Sequence, residues 1–302
     1  MGIIVYLAVT LIIITVFILT RLYLLKKEIK RAGKQLHELN KGVTEKKLDL
    51  AFFDKDIENL VKEINQQIDV TKQANAEKRR KENELKQAIA NISHDIRTPM
   101  TSILGYIQFL ESDELSSEKK AEYTSVVKGG ALRLKALLED FFELSIIESA
   151  DYPLKPEKMV LNHLLLEVLV GFYEQFNQQG VEPALQIPEE EISIIGDVSA
   201  VKRVIENLVV NAIKHSKGNI SIRLKKLPAA VQLIISNQVD QLNEQDIHYL
   251  FDRFYKGDKT RTEKSTGLGL AIAKSLMTKM RGNLTAHLKE NELSMVCEWK
   301  IR

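Results

Sequence analysis

The chain has 302 residues, of which 28% are charged and 44% hydrophobic, and its net charge is +2. This length suffices for two modest domains with connecting helices. The nearly balanced charge excludes a strong general affinity for polyanions, so nucleic acid is not an expected partner. Cys297 is the single cysteine, which excludes an internal disulfide and suits a reducing compartment.

An almost unbroken apolar run opens the chain. Residues 3–19 are interrupted only by Thr10 and Thr15, and with residues 22–25 they can cross a hydrocarbon core of about 30 Å. No basic segment precedes the run and no small-residue cleavage site follows, which favours a retained anchor over a signal peptide. Lysine and arginine crowd its C-terminal side. The positive-inside rule therefore predicts a single-pass anchor in the cell membrane over residues 1–25, with the N-terminus outside and the remainder cytoplasmic.

This topology leaves almost no residues outside the membrane to bind a stimulus. A signal would have to act within the membrane, from the cytoplasm, or through a partner such as a membrane sensory or transporter protein. Residues 26–84 are predicted to form a helical linker with a break at residues 42–44. Its two apolar stripes comprise Ile29, Leu36 and Leu39, then Ile57, Leu60, Val61, Ile64 and Ile68. Two helices with a connector resemble a HAMP signalling module, and a plain coiled-coil stalk remains the alternative.

A heptad repeat of apolar residues marks the next helix. The repeat comprises Leu85, Ile89, Ile92, Ile96, Pro99, Ile103, Tyr106 and Leu110. With Ile89 at position a, His94 falls at position f, farthest from the buried seam, and Asp95 follows it. A carboxylate can fix the tautomer of an exposed imidazole and leave the other ring nitrogen free to attack, so His94 is a candidate nucleophile. An inert solvated histidine is the alternative, and Pro99 is expected to kink the helix.

A second amphipathic helix is predicted over residues 118–149, after a polar turn at residues 112–117. Together the two helices predict an antiparallel hairpin over residues 85–150. A single hairpin cannot cover its own apolar faces, so a homodimer that forms a four-helix bundle is expected.

Residues 151–302 are predicted to form the second domain, which starts with a linker that contains two prolines, at residues 151–156. Short β-rich runs alternate with helices, which predicts an α/β sandwich and an overall fold class of α plus α/β. The predicted strands cover residues 157–161, 183–187, 193–195, 219–224, 231–237, 283–288 and 294–301, and the predicted helices cover 162–178, 199–215 and 268–280.

Two spots in this domain are suited to phosphate chemistry. Asn207 and Asn211 are four residues apart on one helical face, where amide oxygens can coordinate Mg²⁺, and Lys214 lies one turn further. Gly267 and Gly269 come at the start of a helix, so bare backbone amides can approach phosphate oxygens. Either pattern alone is also compatible with a structural role.

Four segments, taken in order, resemble those of bacterial sensor histidine kinases with a GHKL-type ATPase domain. SHDIRTP around His94 resembles the H-box, NLVVNAIKHS the N-box, LFDRFYKGD the F-box and TGLGLA the G2-box. The resemblance implies ATP and Mg²⁺ as ligands, with Asn211 on the metal. It implies nucleotide contacts from Asn207, Asn211, Lys214, Asn237, Phe254, Arg261, Gly267, Leu268 and Gly269.

One box departs from the family pattern, which commonly reads D-x-G-x-G before the F-box. At the matching position this chain has Asn237, and Val239 and Gln241 replace the glycines. An amide oxygen can still accept from the adenine amine, but without charge. Weaker adenine binding and a stiffer pocket edge are therefore expected.

The resemblance implies a membrane-anchored, dimeric histidine kinase. His94 would take the γ-phosphoryl group of ATP with Asp95 as orienting base, and would pass it to an aspartate of a separate response regulator. Thr98, on the same face, would position water for dephosphorylating that regulator. The alternatives are a non-catalytic ATP-binding signalling scaffold and an ATPase that uses nucleotide only to drive conformational change.

Overall fold

A computed structural model describes most of the chain. The described residues are 2–41, 44, 46–49, 55–112, 115–149, 151–240, 242–255 and 266–301, without the side chains of residues 84, 85 and 245. Gly42, Val43, the Leu85 side chain, Gln241 and the predicted nucleotide ligand Arg261 therefore lie outside the described part. The chain divides into two compact units, residues 1–87 and 88–302.

The first unit is helical. Helix α1 spans Gly2–Asn40, and α2 begins at Lys55 and extends to Leu110 in the second unit. The predicted anchor and the first linker helix are thus one continuous helix. Within the described residues, α1 is the one helix long and apolar enough to span a membrane.

The connector between α1 and α2 contributes to a small core. Leu48 is buried with Val61 and Ile68, and the partly buried residues around them are Ala32, Leu36, Leu39, Ile57 and Ile64. The Asn65 side chain accepts from the Leu48 amide at 2.9 Å and donates to the Leu48 carbonyl at 3.0 Å. Ile29 and Leu60, which the sequence places in the same stripes, are exposed in the single chain. Leu48 of the connector thus packs against residues of both helices.

The second unit begins with a helical hairpin. Helix α3 spans Ser117–Glu148, and Ser116 caps its N-terminus. Gly130 of α3 lies so close to α2 that an added Cβ would be 2.9 Å from Ile103 Cγ1. The α2 helix continues through the buried Pro99 to Leu110.

The hairpin leaves an apolar stripe exposed on each helix. Ile92 and Ile96 pack against the main core, as the heptad predicts, whereas Ile89 is 55% exposed in the single chain. The exposed apolar residues on α2 and α3 include Ile89, Met100, Leu104, Ile107, Leu132, Leu138, Phe142 and Ile146. Part of the heptad seam is therefore covered within a single chain, and the exposed apolar residues of α2 and α3 form a second apolar surface.

The rest of the second unit is an α/β sandwich, which confirms the predicted fold class. Its helices are α4 (Leu161–Gly171), α5 (Tyr173–Gln179), α6 (Val198–His215), α7 (Glu244–Ile247) and α8 (Gly269–Lys279). Its strands are β1 (Glu157–Val160), β2 (Ala184–Gln186), β3 (Ser193–Gly196), β4 (Ile220–Lys226), β5 (Ala230–Gln238), β6 (Asn283–Lys289) and β7 (Glu292–Lys300). The five-stranded sheet has the order β2-β4-β5-β7-β6, with only the β2–β4 pair parallel, and β1 pairs with β3 separately.

Helices α6 and α8 pack on each other and position the site. Both bury an apolar face, with Val204, Ile205 and Leu208 of α6 and Ile272 of α8 at most 1% exposed. The predicted helix at residues 162–178 is wrong in one respect, because it breaks at Phe172. The break starts a new helix, α5, in which Phe176 is buried. The short helix α7 was not predicted.

Candidate active site

His94 lies on the exposed side of α2, as its heptad position predicts. Its side chain is 76% exposed, whereas that of Asp95 is 22% exposed. The imidazole Nδ1 is 3.3 Å from Asp95 Oδ1, and Nε2 makes no hydrogen bond with any described residue. A carboxylate at Nδ1 favours the tautomer in which the lone pair is on Nε2. The Thr98 hydroxyl donates to the His94 carbonyl at 3.2 Å, so the Thr98 side chain lies one helical turn after His94.

Asn207 of α6 has a buried amide nitrogen without a hydrogen-bond partner among the described residues. Buried donors are normally satisfied, so this nitrogen is available to a ligand. Asn207 Oδ1 lies 2.9 Å from where a Cβ on Gly269 would be, so only glycine lets the amide pack against the start of α8. Asn211 follows on the same helix and is half-buried, and Lys214 is exposed.

The turn before α8 is joined to the F-box segment. The Phe254 amide donates to the Gly267 carbonyl at 3.0 Å. Gly267 has φ +71°, and a Cβ there would be 3.1 Å from the Phe254 backbone. Phe254 itself has φ 62° although it is not glycine, and its ring is buried. Such strain in a bulky residue costs of order 1–3 kcal/mol and is typical of functional sites.

Replacement of Gly267 by alanine is expected to disrupt this turn. Alanine would have to adopt the left-handed backbone conformation that glycine adopts here, which is strained for a residue with a Cβ. Its methyl group would also contact the Phe254 backbone, which cannot move aside as a flexible side chain can. We expect ATP affinity to fall at least about tenfold, equivalent to roughly 1.4 kcal/mol. Calorimetric titration measures this, with Gly171→Ala as the control because a Cβ at Gly171 meets nothing within 4 Å. Equal affinities for both variants would contradict the assignment of this turn.

The start of α8 is suited to an anion. Gly269 is the first helical residue, and no side chain caps the helix N-terminus. The Leu268 side chain is fully buried, so this residue can contribute to a ligand site only through its backbone. The Leu268 amide is 3.4 Å from Thr266 Oγ1, a long and weak hydrogen bond. Backbone amides at such a terminus attract phosphate through the helix dipole.

Asn237 occupies the end of β5 and is 4% exposed. Its amide nitrogen is 3.3 Å from the Gln238 carbonyl, which makes the side-chain oxygen the atom available to accept. Helix α6 packs on this strand, so Asn207 and Asn211 lie on a helix that contacts the strand of Asn237. Val239 is buried, and its amide donates to the Asn291 carbonyl at 2.8 Å, so its backbone is held in place.

Sequence reasoning missed a group of contacts between α3 and the sandwich. Arg203, one turn before Asn207, contacts Asp140 and Glu143, and Thr266 donates to Asp140 at 2.7 Å. Burial lowers the pKa of Arg203, but the Glu143 hydrogen bond and the charges of Glu143 and Asp140 outweigh this and raise the pKa above its usual value. No local pattern reveals these pairs, because the partners are far apart along the chain.

Family models match both parts of the second unit. The His Kinase A (phospho-acceptor) domain matches residues 84–150, and the histidine kinase-, DNA gyrase B-, and HSP90-like ATPase matches residues 196–298. Both models fall on the segments whose geometry is described above: the α2–α3 hairpin with His94, and the sandwich with Asn207 and the Gly267 turn.

Relatives with these domains span most of the chain. Sensor protein VanS of Enterococcus faecium is 28% identical over 93% of this chain and 73% of its own. Sensor histidine kinase YcbM of Bacillus subtilis is 26% identical over 78% of each. The fold is similar to that of histidine kinase ThkA, solved in complex with response regulator protein TrrA, with a TM-score of 0.62, 22% identity and coverage of 76% of this chain and 66% of that one. The chain belongs to the sensor histidine kinases of bacterial two-component systems, and it is an ATP-dependent protein histidine kinase.

Proposed function

We propose that His94 is the phosphoryl acceptor and that the Asn207–Gly269 region holds the ATP phosphates. One observation carries the proposal: an exposed imidazole with Nδ1 against a carboxylate and Nε2 unbonded within the described residues. Nε2 would attack the γ-phosphorus in line, its bond to phosphorus forming as the bond to the β-phosphate oxygen breaks. Asp95 would orient the ring and stabilise the positive charge that develops on it.

The residues around α6 and α8 fit a nucleotide phosphate group. The Asn207 nitrogen, which has no partner among the described residues, can donate to a phosphate oxygen. Glycine at positions 267 and 269 lets the turn pack against the Phe254 backbone and the Asn207 side chain, which brings its backbone amides close to Asn207. We propose Asn211 as the Mg²⁺ ligand, since its amide oxygen lies on the same face of α6. Mg²⁺ at such sites neutralises charge on the transferring phosphoryl group. Lys214, Phe254 and Arg261 remain proposed contacts, and Arg261 lies outside the described residues.

The phosphoryl group would pass from His94 to an aspartate of a separate response regulator. ThkA was solved with such a protein, and the exposure of His94 supports access by one here. We propose that Thr98 positions water for the reverse, dephosphorylating reaction. Its hydroxyl is directed to the His94 carbonyl, one turn along the same face.

We also propose that the chain acts as a homodimer anchored in the cell membrane. The apolar stripes left exposed on α2 and α3 match the surface that a second hairpin would cover in a four-helix bundle. Residues 1–25 would form the anchor with the N-terminus outside, followed by a HAMP-like linker over 26–84, the hairpin over 85–150 and the ATP-binding domain over 151–302. Cross-linking in membranes tests the dimer, and a monomeric product alone would contradict it.

Incubation of the full chain with γ-labelled ATP and Mg²⁺ tests the catalytic proposal. A phosphohistidine is labile in acid and stable in base, so the expected label is lost on acid treatment and moves to a receiver domain when one is added. Nucleotide binding without label would favour the signalling scaffold, and release of phosphate without a labelled protein would favour the ATPase.

Restoring the acid at position 237 is expected to strengthen nucleotide binding. A hydrogen bond to a charged group contributes about 1.5–3 kcal/mol, against roughly 0.5–1.5 kcal/mol for a neutral one. Asn237→Asp should therefore tighten ATP binding and increase the preference for ATP over GTP, as calorimetry with both nucleotides measures. Asn237→Ala is the matched control and should weaken ATP binding. If both variants match the parent chain, Asn237 does not contact the base.

A further inference from the structure

Three acidic residues of α3, Asp140, Glu143 and Glu148, pair with arginines of the ATP-binding sandwich. Arg203 Nε donates to both oxygens of Glu143, at 2.9 and 3.1 Å, and Arg203 Nη2 donates to Asp140 Oδ1 at 3.1 Å. Arg253 Nη2 lies 2.6 Å from Glu148 Oε2. These contacts come from α6 and from the F-box segment, so α3 is bonded to two elements of the proposed nucleotide site.

Asp140 also reaches the turn proposed to bind phosphate. Its second oxygen, Oδ2, accepts from Thr266 Oγ1 at 2.7 Å, and Thr266 Oγ1 lies 3.4 Å from the Leu268 amide. Asp140 thus lies two hydrogen bonds from an amide at the start of α8. The two oxygens of this one carboxylate connect α6 and the α8 turn to α3.

This position has an electrostatic consequence. The N-terminus of α8 attracts negative charge, and Asp140 supplies a carboxylate beside it from another element. A nucleotide triphosphate needs the same amides and brings several negative charges of its own. Arg203 compensates only one of the two carboxylates, Asp140 and Glu143, that contact it. Like charges at short range disfavour each other, so the Asp140 carboxylate would oppose a phosphate bound at these amides.

We propose that Asp140 is a built-in competitor of the nucleotide phosphates, so that docking of the sandwich on α3 and ATP binding oppose each other. The inference rests on the proposed placement of the phosphates at residues 266–269. ATP then favours release of the sandwich from α3, and contact with α3 lowers ATP affinity by the same factor, because such coupling is reciprocal. The docked chain is a resting form that binds ATP less tightly than a released one.

Titration of the full chain in detergent micelles with Mg²⁺-AMPPNP, and separately with adenosine, tests the proposal. Asp140→Asn keeps the shape of the side chain and removes its charge. We expect AMPPNP to bind this variant about fivefold tighter or more, the scale of ordinary coupling between sites, and adenosine to bind as in the parent chain. Adenosine has no phosphates, so it separates competition at the turn from a general change in the pocket.

Glu139→Gln is the matched control, because it removes the same charge at the next position. Glu139 is exposed and pairs with Lys135 of its own helix at 3.6 Å. The AMPPNP affinity of Glu139→Gln should equal that of the parent chain.

Thr266→Val is a second test that leaves all carboxylates in place and removes the hydroxyl between Asp140 and the Leu268 amide. We expect it to tighten AMPPNP binding as well.

The outcomes separate this inference from the proposed function. Parent-like AMPPNP affinity in both Asp140→Asn and Thr266→Val overturns the competition and leaves the nucleotide site intact. Equal tightening of AMPPNP and adenosine in Asp140→Asn also overturns it, since the effect would not then involve the phosphates. Binding of AMPPNP by none of the proteins, the parent chain included, overturns the proposed function and the inference with it.

Discussion

His94→Gln is expected to abolish autophosphorylation and to leave ATP affinity unchanged. Glutamine has no basic nitrogen that can attack phosphorus, whereas the exposed His94 imidazole lies 3.3 Å from the Asp95 carboxylate. His94 lies on α2, outside the sandwich that carries the proposed ATP contacts. Because the side chain is largely exposed, folding stability should change by less than about 0.5 kcal/mol. Acid-labile label and calorimetric ATP affinity, measured on the same preparation, check both parts.

His163→Gln is the matched control for this prediction. His163 is also exposed, at 69%, and its Nε2 is 3.8 Å from a glutamate, Glu191, but it lies on α4. This variant should retain full labelling, which would show that a carboxylate neighbour alone does not make a histidine an acceptor. Acid-labile label that persists in His94→Gln, or disappears in His163→Gln, would assign the acceptor elsewhere.

Asn211→Ala is expected to lower the rate of phosphoryl transfer by about a hundredfold or more. The proposed transfer to His94 would depend on charge neutralisation around the phosphates, and removal of one positioned electrostatic contact to a transition state commonly costs 10²–10³-fold. Asn211 lies one helical turn after Asn207, whose buried amide nitrogen has no hydrogen-bond partner among the described residues. The measurement is the rate of His94 labelling as a function of Mg²⁺ concentration.

The control here is Asn177→Ala, which removes the same side chain from an exposed position on α5. It should label at the parent rate and with the parent dependence on Mg²⁺. A near-normal, Mg²⁺-dependent rate in Asn211→Ala would place the metal ligand at another residue. An unchanged thermal unfolding curve in both variants is needed, so that loss of labelling cannot arise from loss of the fold.

Elements with strong local signals were determined by the sequence alone. Helix α6 was predicted at residues 199–215 and lies at Val198–His215, and β3 differs from its prediction only by Gly196. Helical periodicity and alternation of apolar residues depend on near neighbours in the chain, so they are readable without the fold. The exposure of His94 followed from the same periodicity.

Features that depend on two distant segments were decided only by the tertiary structure. The heptad could not show that Ile89 is exposed, since burial depends on which helix meets which face. Phe254 combines a left-handed backbone with a hydrogen bond to the Gly267 carbonyl, and no residue preference predicts this conformation. Asp140 and Thr266 are 126 positions apart, and their hydrogen bond exists only because folding brings α3 to the start of α8. Local sequence carries no information on such a pair, because its energy is gained only after the chain between the partners has folded.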